Sequence, residues 1–208
     1  MTGPTLRHAG INLGGTDEEA DAKAESAIFG FWIFLMSDAV IFALLFAVYG
    51  TAVSATAGGP GAADLFEMRS ALIQTLLLLT SSLTFGMATL AMKYGDAHGR
   101  LFGWIAVTLA LGVAFLALEM RDFAEMFAKE AYPTRSGFLS AFYALVPLHG
   151  LHVAAGCLWM VVMIAQILAH GLDARTKINL LRLGLYWHVL DIVWIAIFSC
   201  VYLQGLAP

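Results

Sequence analysis

The sequence predicts an all-α fold, an integral membrane bundle of five transmembrane helices with the N-terminus inside and the C-terminus outside. Three observations lead there. Hydrophobic residues make up 60% of the 208-residue chain and charged residues only 12%, where a soluble domain carries about a quarter. The apolar residues lie in five long runs without two-residue alternation, a pattern that fits hydrocarbon-spanning segments and excludes a membrane β-barrel. In hydrocarbon, each run must satisfy its own backbone N–H and C=O groups, which a single segment does only as a helix.

Residues 1–27 read as a polar cytoplasmic tail. Asp17, Glu18, Glu19, Asp21 and Glu25 make it acidic, which fits a solvated, partly disordered segment. No cleavable signal peptide is expected: the first apolar run follows acidic residues and exceeds the roughly 7–15 residues of an h-region. Residues 28–205 form the membrane domain. Its first span covers about 28–50 and holds Ser37 and Asp38. The run Thr56-Ala57-Gly58-Gly59-Pro60-Gly61 then makes a turn-rich loop. The second span covers about 71–92. The third, about 101–121, runs into the acidic residues Glu119, Asp122 and Glu125. Tyr132-Pro133 breaks the chain before the fourth span, about 138–169. That span exceeds the roughly 20 residues needed to cross, so it tilts, bends at Pro147 or projects into water. The fifth span covers about 183–203.

Lys and Arg in the connecting segments set the orientation. With the N-terminus inside, Arg7, Lys23, Lys93, Arg100, Arg175, Lys177 and Arg182 fall on the inner side. Arg69, Arg121, Lys129 and Arg135 fall on the outer side. Gly99-xxx-Gly103 and Ser82-xxx-Gly86 offer sites for close helix packing. Cys157 and Cys200 come out at different depths, so no disulfide is expected.

Polar groups at membrane depth are costly and face the bundle or a partner. Asp38 lies about ten residues into its span, roughly 15 Å from the inner edge. No Lys or Arg shares that depth, so Asp38 is expected to lack a cationic partner from this chain and to serve packing or lipid contact as an uncharged carboxyl. His149 and His152 share a face of the fourth span, as do His188 and Asp191 in the fifth. His152 and Asp191 both lie about 20 Å from the outer side and are expected to pair. These groups could bind a metal, relay protons or link helices by hydrogen bonds. No nucleotide loop, nucleophile triad or CxxC is present, and the net charge of −4 with no basic patch argues against nucleic acid.

Several segments together carry a resemblance to a known family. Tyr186-Trp187-His188-Val189-Leu190-Asp191-Ile192-Val193-Trp194 resembles the last-helix signature of subunit III of the haem–copper respiratory oxidases. His149-Gly150-Leu151-His152-Val153 resembles that family's preceding-helix signature, and the segment from Gly30 to Asp38 resembles a helix in which the family carries an intramembrane carboxylate. Glu119 and Asp122 fall where the family places acidic residues, and Arg135 to Phe142 also fits. The similarity covers almost everything from Ile28 to Gly205. Two residues depart from the pattern. Arg121 stands where related chains usually show an aromatic residue, and its charge beside Glu119 and Asp122 counts against a simple proton-collecting role for the pair. Pro147 stands where a small residue is usual and is expected to kink the helix near His149.

Five spans resemble the quinol-oxidase branch, in particular the bo-type ubiquinol oxidases. The resemblance implies a non-redox subunit of a proton-pumping terminal oxidase passing electrons from ubiquinol to O₂ in a bacterial inner membrane. Its partners would be the catalytic subunit I, subunit II, a small fourth subunit and phospholipids. Haem and copper would belong to the catalytic subunit, whose metal centres the family holds through six membrane histidines. This chain has six histidines in all, with His8 and His98 outside the spans and His170 at an edge. It is therefore expected to bind no cofactor or metal and to carry no catalytic residue. Asp38, Glu119, Asp122, His149, His152, His188 and Asp191 are the candidates for structural, lipid-related or proton-related roles, and Trp187, Trp194 and Pro147 for packing or interface roles. The alternatives are subunit III of a cytochrome c oxidase and a small proton-coupled transporter. The transporter would show internal repeats with broken helices, which the sequence does not display.

Overall fold

In the computed structural model, which describes residues 18–94 and 98–205, the long apolar runs are rods. The helices are α1 (Glu18–Ala52), the single turn α2 (Ala62–Leu65), α3 (Met68–Tyr94), α4 (His98–Ala128), α5 (Gly137–His170) and α6 (Ala174–Ile197). A π-helical stretch, Phe198–Leu203, continues α6. The described residues contain no strand. Five segments are long and apolar enough to cross a membrane: Glu25–Ala52, Met68–Met92, Gly99–Ala128, Gly137–Ala169 and Arg175–Leu203. The fold is thus the all-helical five-span bundle that the hydropathy pattern implies. Of the acidic tail, Asp17 and everything before it lie outside the described residues.

The helices overrun the apolar runs at several ends for local reasons. α1 extends back to Glu18 through Glu, Ala and Lys, all good helix formers. α6 begins at Ala174 because Asp173 caps it, its carboxylate accepting from Thr176 N at 2.7 Å. Arg175, Lys177 and Arg182 therefore sit in the opening turns of a helix and not in a loop. Ser136 caps α5 in the same way, accepting from Leu139 N at 3.2 Å. α5 continues through Pro147, although proline has no N–H to give the preceding turn.

α3, α4, α5 and α6 form a closed ring in which α6 packs against both α5 and α3, while α1 leans on α5 and α6 from outside. The link between α1 and α3 folds over one end of this ring. Phe138 N donates to Ala55 O at 3.2 Å, and the Phe66 ring packs on Phe138, Phe142 and Tyr202. Gly58 takes a positive φ of 73° in that link, and the residue before it, Ala57, also sits in the left-handed region.

Close helix approach occurs at glycines other than those in the two small-residue motifs. A Cβ on Gly86, Gly99 or Gly103 would meet nothing within 4 Å, so none of these three glycines seats a neighbouring helix within the chain. A Cβ on Gly112 would instead strike Trp187 at 2.8 Å and Cys157 Sγ at 2.9 Å. One on Gly156 would strike Trp187 at 2.9 Å, and one on Gly184 would strike Phe85 at 2.8 Å. In each case a large aromatic ring fills the space that the glycine leaves. Cys157 is buried, Cys200 is exposed, and both are free.

Candidate functional site

The ring's core is organised by the two indoles of α6. Trp187 and Trp194 are seven residues apart, so they share one face two turns apart, and each is only 1% exposed. A buried indole N–H needs an acceptor, and α3 supplies both. Trp187 Nε1 donates to Ser81 Oγ at 3.0 Å, and Trp194 Nε1 donates to Thr75 Oγ1 at 3.1 Å. A further hydroxyl contact, Thr84 to Thr108 at 2.8 Å, ties α3 to α4. Pro147 lies on α5 two residues before His149.

The polar groups at depth fall into separate sets. His149 is fully buried in an aromatic box: it stacks on Trp194 and meets the edges of Phe42 and Phe115. Its ring nitrogens have no hydrogen-bond partner among the described residues. One turn on, His152 faces α1, with Nε2 3.3 Å from Asp38 Oδ1. His152 Nδ1 lies 2.7 Å from Leu148 O. A carbonyl only accepts, so the Nδ1 contact calls for a proton on that nitrogen and leaves Nε2 facing the Asp38 carboxyl. Ser37 takes no part, because its hydroxyl bonds back to Ile33 O.

The pairing of His152 with Asp191 expected from depth alone does not occur, and Asp38 does have a basic partner. Depth fixes height, while rotation about the helix axis decides which residues meet. Tyr186 and Trp187 fill the seam between α5 and α6, with Tyr186 Oη donating to His152 O at 2.9 Å. His188 and Asp191 are thereby turned toward α3. His188 Nδ1 lies 2.7 Å from Ser82 Oγ and 3.8 Å from Asp191 Oδ2, the latter too long for a hydrogen bond.

A third set lies toward the end of the ring near the α1–α3 link. Asp122 Oδ2 accepts from Ser70 Oγ and from Gln74 Nε2, each at 2.6 Å. Arg121 reaches Asp122 at 3.2 Å and Glu125 at 3.4 Å. The cation therefore serves Asp122 and Glu125 and leaves Glu119 aside. Glu119 is 2% exposed, and neither of its oxygens has a partner among the described residues. Its carboxyl presses on Gly150, where a Cβ would overlap it. With Gln74, Asp122 and Tyr202 it borders a cavity of about 20 Å³.

The seven polar candidates thus divide into Asp38 with His152, His188 with Asp191, Glu119 near Asp122, and His149 alone. Among the described residues no three His, Cys, Asp or Glu side chains converge as metal ligands. Sequence reasoning missed Ser70, Gln74, Thr75 and Ser81 as partners and took Ser82 only for a packing position. The signal was present as a row of hydroxyl and amide residues in an otherwise apolar span, each able to serve a group on a neighbouring helix.

The chain matches the family described as cytochrome c oxidase subunit III over residues 14–206. Similar proteins include cytochrome bo(3) ubiquinol oxidase subunit 3 of Pseudomonas aeruginosa, 46% identical over 93% of this chain and 92% of that one. Cytochrome c oxidase subunit 3 of Bacillus sp. PS3 is 40% identical over 91% of each chain. Quinol oxidase subunit 3 of Bacillus subtilis is 40% identical over 86% of this chain and 87% of that one.

Proposed function

Because the chain belongs to the cytochrome c oxidase subunit III family, we propose that it is the third subunit of a proton-pumping terminal oxidase that takes electrons from ubiquinol and not from cytochrome c. The 46% identity to the Pseudomonas ubiquinol oxidase chain supports the quinol donor. The role is support of the catalytic subunit, which carries the haem and copper. The observation that carries it is the dispersal of the membrane histidines. His149 is spent on an aromatic box, His152 on a contact between α1 and α5, and His188 on one between α3 and α6. Each contacts a neighbouring helix, and none faces another as a ligand set would.

In this reading the tail is cytoplasmic, Pro208 lies outside, and the membrane is the bacterial inner membrane. The basic opening turns of α6, with Arg175, Lys177 and Arg182, support that orientation. The exposed apolar face of α1 gives phospholipid tails a surface to lie on.

Purification of a tagged chain in mild detergent tests the proposal. Subunits I and II should accompany it, with haem and copper present in the complex, and O₂ uptake should be supported by ubiquinol. A complex that oxidises cytochrome c and not quinol overturns the donor assignment. Impermeant labelling of an N-terminal cysteine from the periplasmic side of intact cells would overturn the orientation.

A further inference from the structure

His188 lies at a place where an imidazole should not face lipid. It is fourteen residues from the start of α6, roughly 21 Å along the axis, and about as far from the end of the π-helical stretch. Ser82, its partner on α3, is fourteen residues from Met68, so the contact lies at mid-span on both helices. Yet the His188 side chain is 45% exposed. Nδ1 is engaged by Ser82, while Nε2 takes no partner among the described residues. An imidazole is too short to reach the headgroups from this depth, unlike Lys or Arg near a helix end. Acyl chains offer it no hydrogen bond, and an unsatisfied polar group in hydrocarbon is costly.

The surroundings have the form of a helix seat. On α3, Leu76, Leu79 and Leu83 are exposed at spacings of three and four. On α6, which runs antiparallel to α3, His188, Ile192 and Ile195 are exposed at spacings of four and three. Two such stripes flanking one seam match the periodicity with which a third helix packs. The seam is apolar except at its centre, where Ser82, His188 and the buried Asp191 meet. Asp191's two oxygens have no hydrogen-bond partner among the described residues, so the centre still holds unused polar capacity.

We propose that the seam between α3 and α6 is the docking surface for a transmembrane helix of another oxidase subunit, which presents a hydrogen-bonding side chain to His188 Nε2 at mid-membrane. The occupant is a helix and not lipid because only a helix brings a polar side chain to that depth without exposing its own backbone. The inference rests on the reading of the chain as an oxidase subunit.

The test uses the intact complex. Photo-reactive residues are placed at Leu83 and Ile192, and cross-linked products are identified by mass spectrometry. In parallel, the complex recovered through the tag is compared for wild type, His188→Leu and His188→Gln. Cross-links should map to one transmembrane segment of another oxidase subunit. His188→Leu should lower recovery of intact complex roughly fivefold, the scale of one interhelical hydrogen bond. His188→Gln, which can still donate and accept, should restore it to within about twofold of wild type. Cross-links to lipid alone or to a second copy of this chain overturn the proposal, as does full recovery with His188→Leu. A wild-type chain that brings down no oxidase subunit would instead sink the subunit reading itself, before any variant is compared.

Discussion

The first and last spans are similar in length and both apolar, yet they live in opposite surroundings. Only 11% of the most apolar window of α1 is buried within the chain, against 50% for the span that α6 opens. α6 packs on α3, α4 and α5 through Trp187 and Trp194, and Gly112 and Gly156 clear the way for Trp187. α1 has no such fit: a Cβ on Gly30 or Gly50 would meet nothing within 4 Å, and Phe29, Phe34, Val40 and Leu44 are exposed. A few contacts hold it, among them Asp38 with His152, Phe42 beside the two histidines, and Arg182 Nη2 donating to Ala27 O at 3.4 Å. The better-packed helix is the one richer in polar residues, although α1 holds more small ones. In water the apolar face goes inside. In lipid, exposed and buried surfaces are both apolar, so fit and hydrogen bonds decide which helix is buried.

If that contrast is right, matched substitutions in the two spans should differ sharply. Trp187→Ala removes a 1%-exposed indole and leaves a void between α4, α5 and α6, and should destabilise the chain by about 3–5 kcal/mol. Trp32→Ala in α1, at 43% exposure, should cost below about 1 kcal/mol in the isolated chain. Thermal unfolding in one detergent measures both, and equal losses would break the comparison. Next in size, Gly112→Leu forces side-chain atoms into Trp187 and Cys157, a loss of about 1–3 kcal/mol. Gly30→Leu should stay within about 0.5 kcal/mol. Smaller still, Thr75→Val strips the acceptor from Trp194 Nε1 and should cost about 1–2 kcal/mol, with Trp194→Phe in the same background recovering part of it.

Much of the fold was legible, because hydropathy and backbone hydrogen bonding both constrain a long apolar run to one answer. Helix ends were less so: α6 starts at its Asp173 cap, well before the apolar run, and the hydropathy pattern does not register a cap. The site was legible as a set of residues but not as a set of partners. Asp38, His152, His188 and Asp191 were all identifiable by type and depth. Their pairing turned on helix rotation, which depth counting ignores, and on Tyr186 and Trp187 taking the seam between α5 and α6. The glycine motifs failed for a related reason. A small residue shows where approach is permitted, and the aromatic ring opposite Gly112 or Gly184 shows where it happens.

The smallest effect is expected at the polar tie between Asp38 and His152, which holds α1 to α5 at mid-membrane. His152 Nδ1 is committed to Leu148 O, so Nε2 is the nitrogen left to face the Asp38 carboxyl. An asparagine at position 38 carries no charge, and its amide N–H can donate to Nε2 of a neutral imidazole. Asp38→Asn therefore keeps the contact, and in the assembled oxidase turnover should stay within roughly a factor of two of wild type, about 0.4 kcal/mol in the barrier. Asp38→Lys would set a cation against His152 at the same depth and should reduce assembly. If Asp38 carries protons for turnover, Asn is inert in that role. Quinol-dependent O₂ uptake and proton ejection by reconstituted, fully assembled Asp38→Asn complex then separate the two ideas. Loss of either with assembly intact would show that the contact between α1 and α5 is part of a proton path and not only a tie between helices.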